Sequence, residues 1–416
     1  MAKILVIGCG NVGSVGLHKM SQQPDIFSEI HVVSRTEKKM KAVSDSIKKK
    51  TKGKVNLRLH VANVSSPKTF YGLLKKIKPE LVINWGHPYD NLVMMDACLK
   101  YGVNYIDTAC YEHPAKYGFS YKKQLAKNAA FKKKGLLAIT GMGFDPGVSN
   151  IFSAYARDYL FDKIHTVDIL DCNGGSKDKK IKFAPNFDPE INLRELILPV
   201  EFWENGKWKT RGRLIDEEAA FFEFDFPQAG KFTPYLMYHE EMETLVNHLP
   251  DLKRIRFWMT FSPAYLTYLR VLYNVGLTRI DPVKYDKCEV VPVKFLKAIL
   301  PKGEDFNKSY KGKTNIGNII SGVKNAKKKV VYIYNVCDHQ KAFRETGGNA
   351  IGYTTAVPTV TAAQMVLTGK WSGAGVVTPE DKMLDSKVFL KELGKNGLPW
   401  VVKELKDLPA PLKKNY

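Results

Sequence analysis

The chain has 416 residues, of which 44% are hydrophobic, 11% aromatic and 25% charged, a balance that excludes a mainly disordered or fibrous protein and a small disulfide-stapled scaffold. At about 150 residues per domain it holds two or three domains. Sixty-four Lys and Arg against 42 Asp and Glu give a formal charge of +22; the lysines form short helical runs (48–50, 132–134, 327–329) without interleaved aromatics, a recognition helix or a zinc knuckle, so they read as solvated surface and not as a nucleic-acid site.

Residues 2–7 enter directly into a short apolar run, too early for a secretory core, and the six cysteines (9, 98, 110, 172, 288, 337) show no CxxC or CxxH spacing. The reading is a cytoplasmic protein with reduced thiols. Alternation of strand and helix follows. Strands are expected at 3–7, 30–34, 55–62, 81–85, 104–108 and 136–140, with helices at 12–20, 37–50, 67–77, 91–100 and 121–134 between them. Such alternation forces right-handed crossovers and a parallel sheet covered on both faces, a doubly wound Rossmann domain over 1–150.

The first turn reads Gly8-Cys9-Gly10-Asn11-Val12-Gly13. Gly8 permits the tight turn, Gly10 lets the backbone approach a pyrophosphate, and Gly13 lets the helix pack on the strand, with the phosphates at the helix N-terminus beside Asn11 and Val12. The second strand ends in Ser34-Arg35-Thr36, where an enzyme using NAD would carry Asp or Glu for the ribose hydroxyl. A guanidinium between two hydroxyls suits a 2′-phosphate, so the expected cofactor is NADPH/NADP.

At the carboxyl ends of later strands stand Asn84-Trp85-Gly86-His87-Pro88-Tyr89, Asp107-Thr108-Ala109-Cys110-Tyr111-Glu112 and Gly143-Phe144-Asp145-Pro146-Gly147, where open α/β sheets bind ligands. These segments resemble the saccharopine dehydrogenase (reductase) family. Asp171-Cys172-Asn173, residues 184–195 and residues 335–340 look like its carboxynorspermidine synthase branch. The resemblance spans nearly the whole chain. It implies NADPH-dependent reduction of the imine between aspartate 4-semialdehyde and a diamine, putrescine or 1,3-diaminopropane, with Asn84, Pro88, Tyr89, Asp107 and Thr108 beside the cofactor, and a homodimer. Ala184-Pro185-Asn186 departs from the expected Thr before Asn, and Trp85 is bulkier than usual there.

From 151 to 350 the pattern changes to runs such as 166–170, 182–183, 220–224 and 329–336 among helices, an α+β substrate and dimerisation domain. A helix is expected at 146–160. Residues 346–369 are too polar for a membrane span; they read as a buried loop and a helix over 358–367, with Pro358 at its first position, Gly347-Gly348 as a hinge before it, and 351–416 returning to the Rossmann domain.

Amine and aldehyde must lose water before reduction, which calls for a proton acceptor, a proton donor and acidic groups for the diamine. Asp145, Asp171 and Glu190 are the carboxylate candidates, with Asn173 beside them, and Arg194 is the candidate for the semialdehyde carboxylate. His339, His87 and Tyr111 are further acid, base or hydrogen-bond candidates. The histidines lack metal-ligand spacing, and His239-Glu240-Glu241 reads as a helix start. Competing readings are a saccharopine reductase, which needs a second carboxylate-binding cation, and a non-catalytic dinucleotide-binding protein, whose interdomain cleft would be apolar.

Overall fold

The computed structural model describes residues 2–176, 182–185 and 187–414, so Asn186 of the 184–195 segment lies outside the described residues. The expected strands are present and form one parallel sheet, ordered Gly375–Val377, Leu137–Ile139, Asn104–Asp107, Leu81–Asn84, Lys3–Ile7, Glu29–Ser34, Arg58–Val61. A seventh strand, Gly375–Val377 from near the C-terminus, completes one edge. Ile4, Leu5 and Val6 are fully buried, as a sheet sandwiched between helices requires. Strand order reverses between Lys3–Ile7 and Leu81–Asn84, and the turns leaving these two strands lie side by side. A Cβ on Gly8 (φ +93°) would stand 2.7 Å from the Trp85 carbonyl oxygen, and one on Gly13 2.3 Å from the Gly8 carbonyl oxygen. Only glycine fits either place.

Two helix expectations are corrected. The one over 121–134 is broken into Lys122–Leu125 and Asn128–Lys133, because the Gln124 side chain is drawn inward to Asp107 and Thr140. The C-terminal helix begins at Ala350 and not at Pro358, which lies inside it. The Asn349 side chain caps it on the Gly352 N–H at 3.0 Å, so the start signal is this asparagine and not the proline. Nor is Gly347-Gly348 a hinge. Gly347 closes the preceding helix (φ 80°), and a Cβ on Gly348 would lie 2.2 Å from Val15 Cγ2, so the pair seats this helix against the opening one.

The second sheet runs Lys207–Arg213, Pro199–Glu204, Arg254–Thr260, Lys163–Asn173, Lys313–Lys324, Lys327–Asp338, Trp400–Leu405. Arg254–Thr260 and Lys163–Asn173 are parallel neighbours. Residues 182–185 form no strand, and of the expected 220–224 run only Phe224 enters one, Phe224–Phe226. The helix expected over 146–160 starts at Val148. Among the described residues no helix is long and apolar enough to cross a membrane.

Asp168 anchors this sheet from its interior. It accepts from Arg254 (2.8 Å), Arg256 (2.7 Å) and the Trp258 indole (3.0 Å), three side chains that alternate onto one strand face. Burial works against its charge, yet Arg256 and Arg254 hold the carboxyl below its ordinary range. Arg256 in turn donates to the carbonyls of Leu412 and Lys414 and fixes the C-terminal segment. Asp168→Ala, which strands two buried guanidiniums, should cost about 3–5 kcal/mol in urea unfolding; a loss below about 1 kcal/mol would show that the cluster does not anchor the sheet.

Candidate active site

A cleft of about 1130 Å³ runs between the two sheets. Its first end is the strand-order reversal, lined by Gly8, Gly10, Asn11, Val12, Ser34, Arg35 and Thr36. No side chain caps the helix Asn11–Ser21 at Gly10, so its first N–H groups face the cleft without a partner from the cap. A Cβ on Gly10 would meet nothing within 4 Å. Protein packing therefore does not demand this glycine; open space for a phosphate over a helix N-terminus does. Arg35 is exposed at the rim. The residues present fit a dinucleotide with a 2′-phosphate.

The other residues expected beside the cofactor divide by position. Pro88 and Thr108 line the cleft, as does His87. Asn84 lies behind it, accepting from the Gly86 N–H (2.8 Å) and donating to Asn91 (2.7 Å), which shapes the turn. Asp107 is likewise interior. It accepts from Gln124 (2.7 Å), Thr140 (2.9 Å) and the Gly141 N–H (2.8 Å) and ties neighbouring strand ends together. Tyr89 turns its hydroxyl to Glu190 at 3.3 Å.

The other end is acidic. Asp145 enters on a turn that only Gly147 permits, since φ there is +133° and a Cβ would stand 2.0 Å from the Gly143 carbonyl oxygen. Asp171 enters from the end of Lys163–Asn173, and the two carboxyls share a hydrogen bond. Burial, then the Asp171 charge, drives Asp145 well above the carboxylate range, while burial raises Asp171 to about 6. Like charges this close hold one proton between them. His239, also lining the cleft, lies between Glu241 and Glu195, the latter at 3.3 Å. Burial opposes its charge, but Glu241 and Glu195 raise it well above the ordinary imidazole range, so it is an imidazolium. Glu240 beside it accepts from the Cys110 backbone N–H at 3.2 Å and from the Cys110 thiol at 2.7 Å. Among the described residues no group of His, Cys, Asp and Glu could hold a metal ion.

Several candidates stand elsewhere. Arg194 is buried and does not line the cleft; Nε meets Glu112 at 2.5 Å and the terminal nitrogens donate to the carbonyls of Pro114, His113 and Lys116. All three nitrogens are engaged in shaping the 112–116 turn, which corrects the substrate-carboxylate assignment. Glu190 is held by Tyr89 and Lys297 (3.3 Å). Tyr111 lies under Lys123, 5.0 Å from its ammonium, and not in the cleft. His339 is fully buried, and its Nδ1 accepts from the Ala350 N–H at 3.2 Å. Its proton therefore sits on Nε2 and is donated to Asn173 Oδ1 at 3.0 Å. It positions Asn173, which does line the cleft. Sequence reasoning missed Glu195, His239 and Glu240 as cleft residues. The available signal was three consecutive ionisable residues shortly after the fully buried strand Pro234–Met237.

Burial holds Asp107 and Glu112 at about 7 and Glu240 at about 8. On unfolding these carboxyls return to ordinary values near 4, so their contribution to stability is complete below that pH and is lost as pH rises through the folded values. Thermal unfolding of the unliganded protein should therefore show stability falling between about pH 4 and about pH 8; a rise over that interval would contradict the assignment.

Two family domains match the chain. Residues 4–139 match the saccharopine dehydrogenase NADP binding domain and residues 143–398 the saccharopine dehydrogenase C-terminal domain. The chain is 44% identical over 400 residues to the carboxyaminopropylagmatine dehydrogenase of Synechocystis sp., covering 96% of this chain and 97% of that one. It is 39% identical over 410 residues to the carboxynorspermidine synthase of Vibrio cholerae, covering 97% of each. The saccharopine dehydrogenase (L-Glu forming) of Saccharomyces cerevisiae shares its fold, with a TM-score of 0.71 at 14% identity over 97% of this chain and all of that one. The cleft, with a dinucleotide cradle at one end and paired carboxyls at the other, is that of an NADP-dependent oxidoreductase, and the chain belongs to the saccharopine dehydrogenase family.

Proposed function

We propose that this enzyme joins L-aspartate 4-semialdehyde to a diamine, putrescine or 1,3-diaminopropane, by NADPH-dependent reduction of their imine, giving carboxyspermidine or carboxynorspermidine. The observation that carries the reading is the unlike chemistry of the two cleft ends: Gly10, Arg35 and Thr36 at one, Asp145, Asp171, Glu195 and Glu240 at the other. A diamine is doubly cationic in water and its attacking nitrogen must lose a proton. The Asp145–Asp171 pair, holding one proton on two carboxyls, has room for that second proton. Glu195, at the same end, retains the distal ammonium, and Asn173, oriented by His339, supplies a neutral polar contact. NADPH, when bound, supplies the hydride that reduces the C=N carbon.

The semialdehyde carboxylate needs a cation other than Arg194. Lys231, which lines the cleft from the hairpin strand Gly230–Phe232, is our assignment. Its neighbour Phe232 lies 3.0 Å from the Cβ position of Gly174, next to Asn173. A saccharopine reductase would present glutamate in place of the diamine, and the concentration of carboxyls opposes that. It also opposes a non-catalytic dinucleotide binder, for which an apolar cleft is expected. A second reading replaces the diamine by agmatine, favoured by the 44% identity to the carboxyaminopropylagmatine enzyme; a guanidinium suits paired carboxylates. We further propose a cytoplasmic homodimer. Its supports are the cysteines, present as thiols and not as disulfides, and the exposed apolar Val271, Val275, Phe295 and Ile299 in the second half of the chain.

The test is NADPH oxidation with aspartate semialdehyde and, in turn, putrescine, 1,3-diaminopropane, agmatine, lysine and glutamate. Oxidation with a diamine is expected; none with any amine would end the reading. Arg35→Asp should weaken NADPH binding by about tenfold or more while changing NADH little, as loss of a charge-assisted contact to the 2′-phosphate requires; equal weakening would remove Arg35 from that role. Lys231→Ala should raise the KM for the semialdehyde by about tenfold, the scale of one lost charged hydrogen bond, and an unchanged KM would reject the assignment.

A further inference from the structure

Glu240 sits where the two halves of the chain meet. Cys110 belongs to the turn after the cofactor-domain strand Asn104–Asp107, and both its backbone N–H and its thiol donate to the Glu240 carboxyl, at 3.2 and 2.7 Å. Glu240 and Cys110 both line the cleft and both are buried. The amine deprotonation assigned to the Asp145–Asp171 pair uses neither. It accounts for the proton that leaves the ammonium, but the carbinolamine formed by attack on the aldehyde must also lose its hydroxyl, and hydroxide does not depart without a proton. The hydroxyl therefore needs a proton at the moment the C–O bond breaks, and Glu240, held by Cys110 at the cofactor-domain wall of the cleft, is a cleft carboxyl that the amine deprotonation leaves unused.

We propose that Glu240 is that acid: its carboxyl proton passes to the carbinolamine hydroxyl, the C–O bond breaks, water leaves, and the nitrogen lone pair closes the C=N bond of the iminium. No electrons change hands in this step. Glu240 is left as a carboxylate and recovers its proton from water, while the Asp145–Asp171 pair returns its own proton to the secondary amine after reduction. The net uptake is one solvent proton per turnover, which is what joining an ammonium and an aldehyde to give a secondary ammonium by hydride addition requires. The inference rests on the imine-reductase reading of the cleft.

The surroundings suit the role. Glu240 is faced by Cys110 from the cofactor side, by Tyr121 from the segment before Lys122–Leu125, and by Tyr238, His239, Glu241 and Glu243 from its own chain segment. Burial lifts it to about 8, with His239 and the Cys110 thiol pulling the other way, so the carboxyl is protonated at neutral pH. The Cys110 donors leave the acid aimed from a fixed main-chain position, which is what a proton donor in a dry site requires.

The experiment measures steady-state rates, the pH dependence of kcat/KM and the isotope effect with NADPH deuterated at the transferred position. It compares the unmodified enzyme with Glu240→Gln and Cys110→Ala. In the unmodified enzyme kcat/KM should fall as pH rises through about 8. Glu240→Gln should lower kcat by about 100-fold or more, leave NADPH binding by fluorescence unchanged, and reduce the deuterium isotope effect toward unity, because dehydration and not reduction then limits the rate. Cys110→Ala removes a donor that favours the ionised carboxyl, so the alkaline limb should move to higher pH. It keeps the carboxyl, so it decides the matter even if Glu240→Gln fails to fold. A Glu240→Gln enzyme within about threefold of the parent rate, an undiminished isotope effect, or an alkaline limb unmoved in Cys110→Ala overturns the assignment while leaving the function intact. Absence of NADPH oxidation by the unmodified enzyme with every amine overturns the function itself.

Discussion

A carboxylate removed from water is unstable unless it is paired, and several brought together cannot all stay ionised. That constraint governs the cleft of this enzyme. Asp145, Asp171, Glu195, Glu240 and Glu241 converge there, with His239 as the imidazolium among them. The molecule resolves the crowding in two ways. Glu195 and Glu241 pair with His239, and other groups keep protons: Asp145 and Asp171 share one, and Glu240 is raised to about 8. The result is a site that attracts a cation and carries protons at neutral pH, both of which imine formation from an ammonium requires.

The fold brings these groups together from distant points of the chain. Asp145 follows the strand Leu137–Ile139 of the Rossmann sheet, Asp171 ends a central strand of the second sheet, and Glu240 and His239 precede the helix Glu241–His248. Asp168 lies three residues before Asp171 on the same strand. Its grip on Arg254 and Arg256 fixes that strand against its parallel neighbour, so a cluster that reads as purely structural sets the position of a cleft carboxyl. The helix Ala350–Leu367 performs the equivalent service at the cofactor end: Asn11 donates to Asn349 at 3.0 Å and accepts from Asn307 at 3.0 Å, which holds the glycine turn against the second half of the chain.

Local signals made the cofactor end legible in the sequence. Gly8, Gly10 and Gly13 lie in one turn, Arg35 ends the next strand, and both strand and helix periodicities are strong there. Asp145 and Asp171 were readable through their motifs. What could not be read was pairing across the chain. Arg194 looks like a free cation until the turn 112–116 is seen to wrap around it, and His339 looks like an acid or base until the Ala350 N–H fixes its tautomer. Glu240 does precede a helix, as its segment suggests, but that it lines the cleft emerges only once Cys110, 130 positions away, is found donating to it. Pro358 misleads for a physical reason too. The side-chain cap of Asn349 outweighs the usual placing of proline in the first turn of a helix.

The most direct measurement is a crystal structure of the enzyme with NADP+ and the proposed secondary-amine product bound together. The new nitrogen should lie between the nicotinamide ring and the Asp145–Asp171 pair, with the polyamine tail running among the acidic side chains and the nucleotide 2′-phosphate at Arg35. Product density outside the cleft, or a nucleotide whose ring points away from those carboxyls, would contradict it.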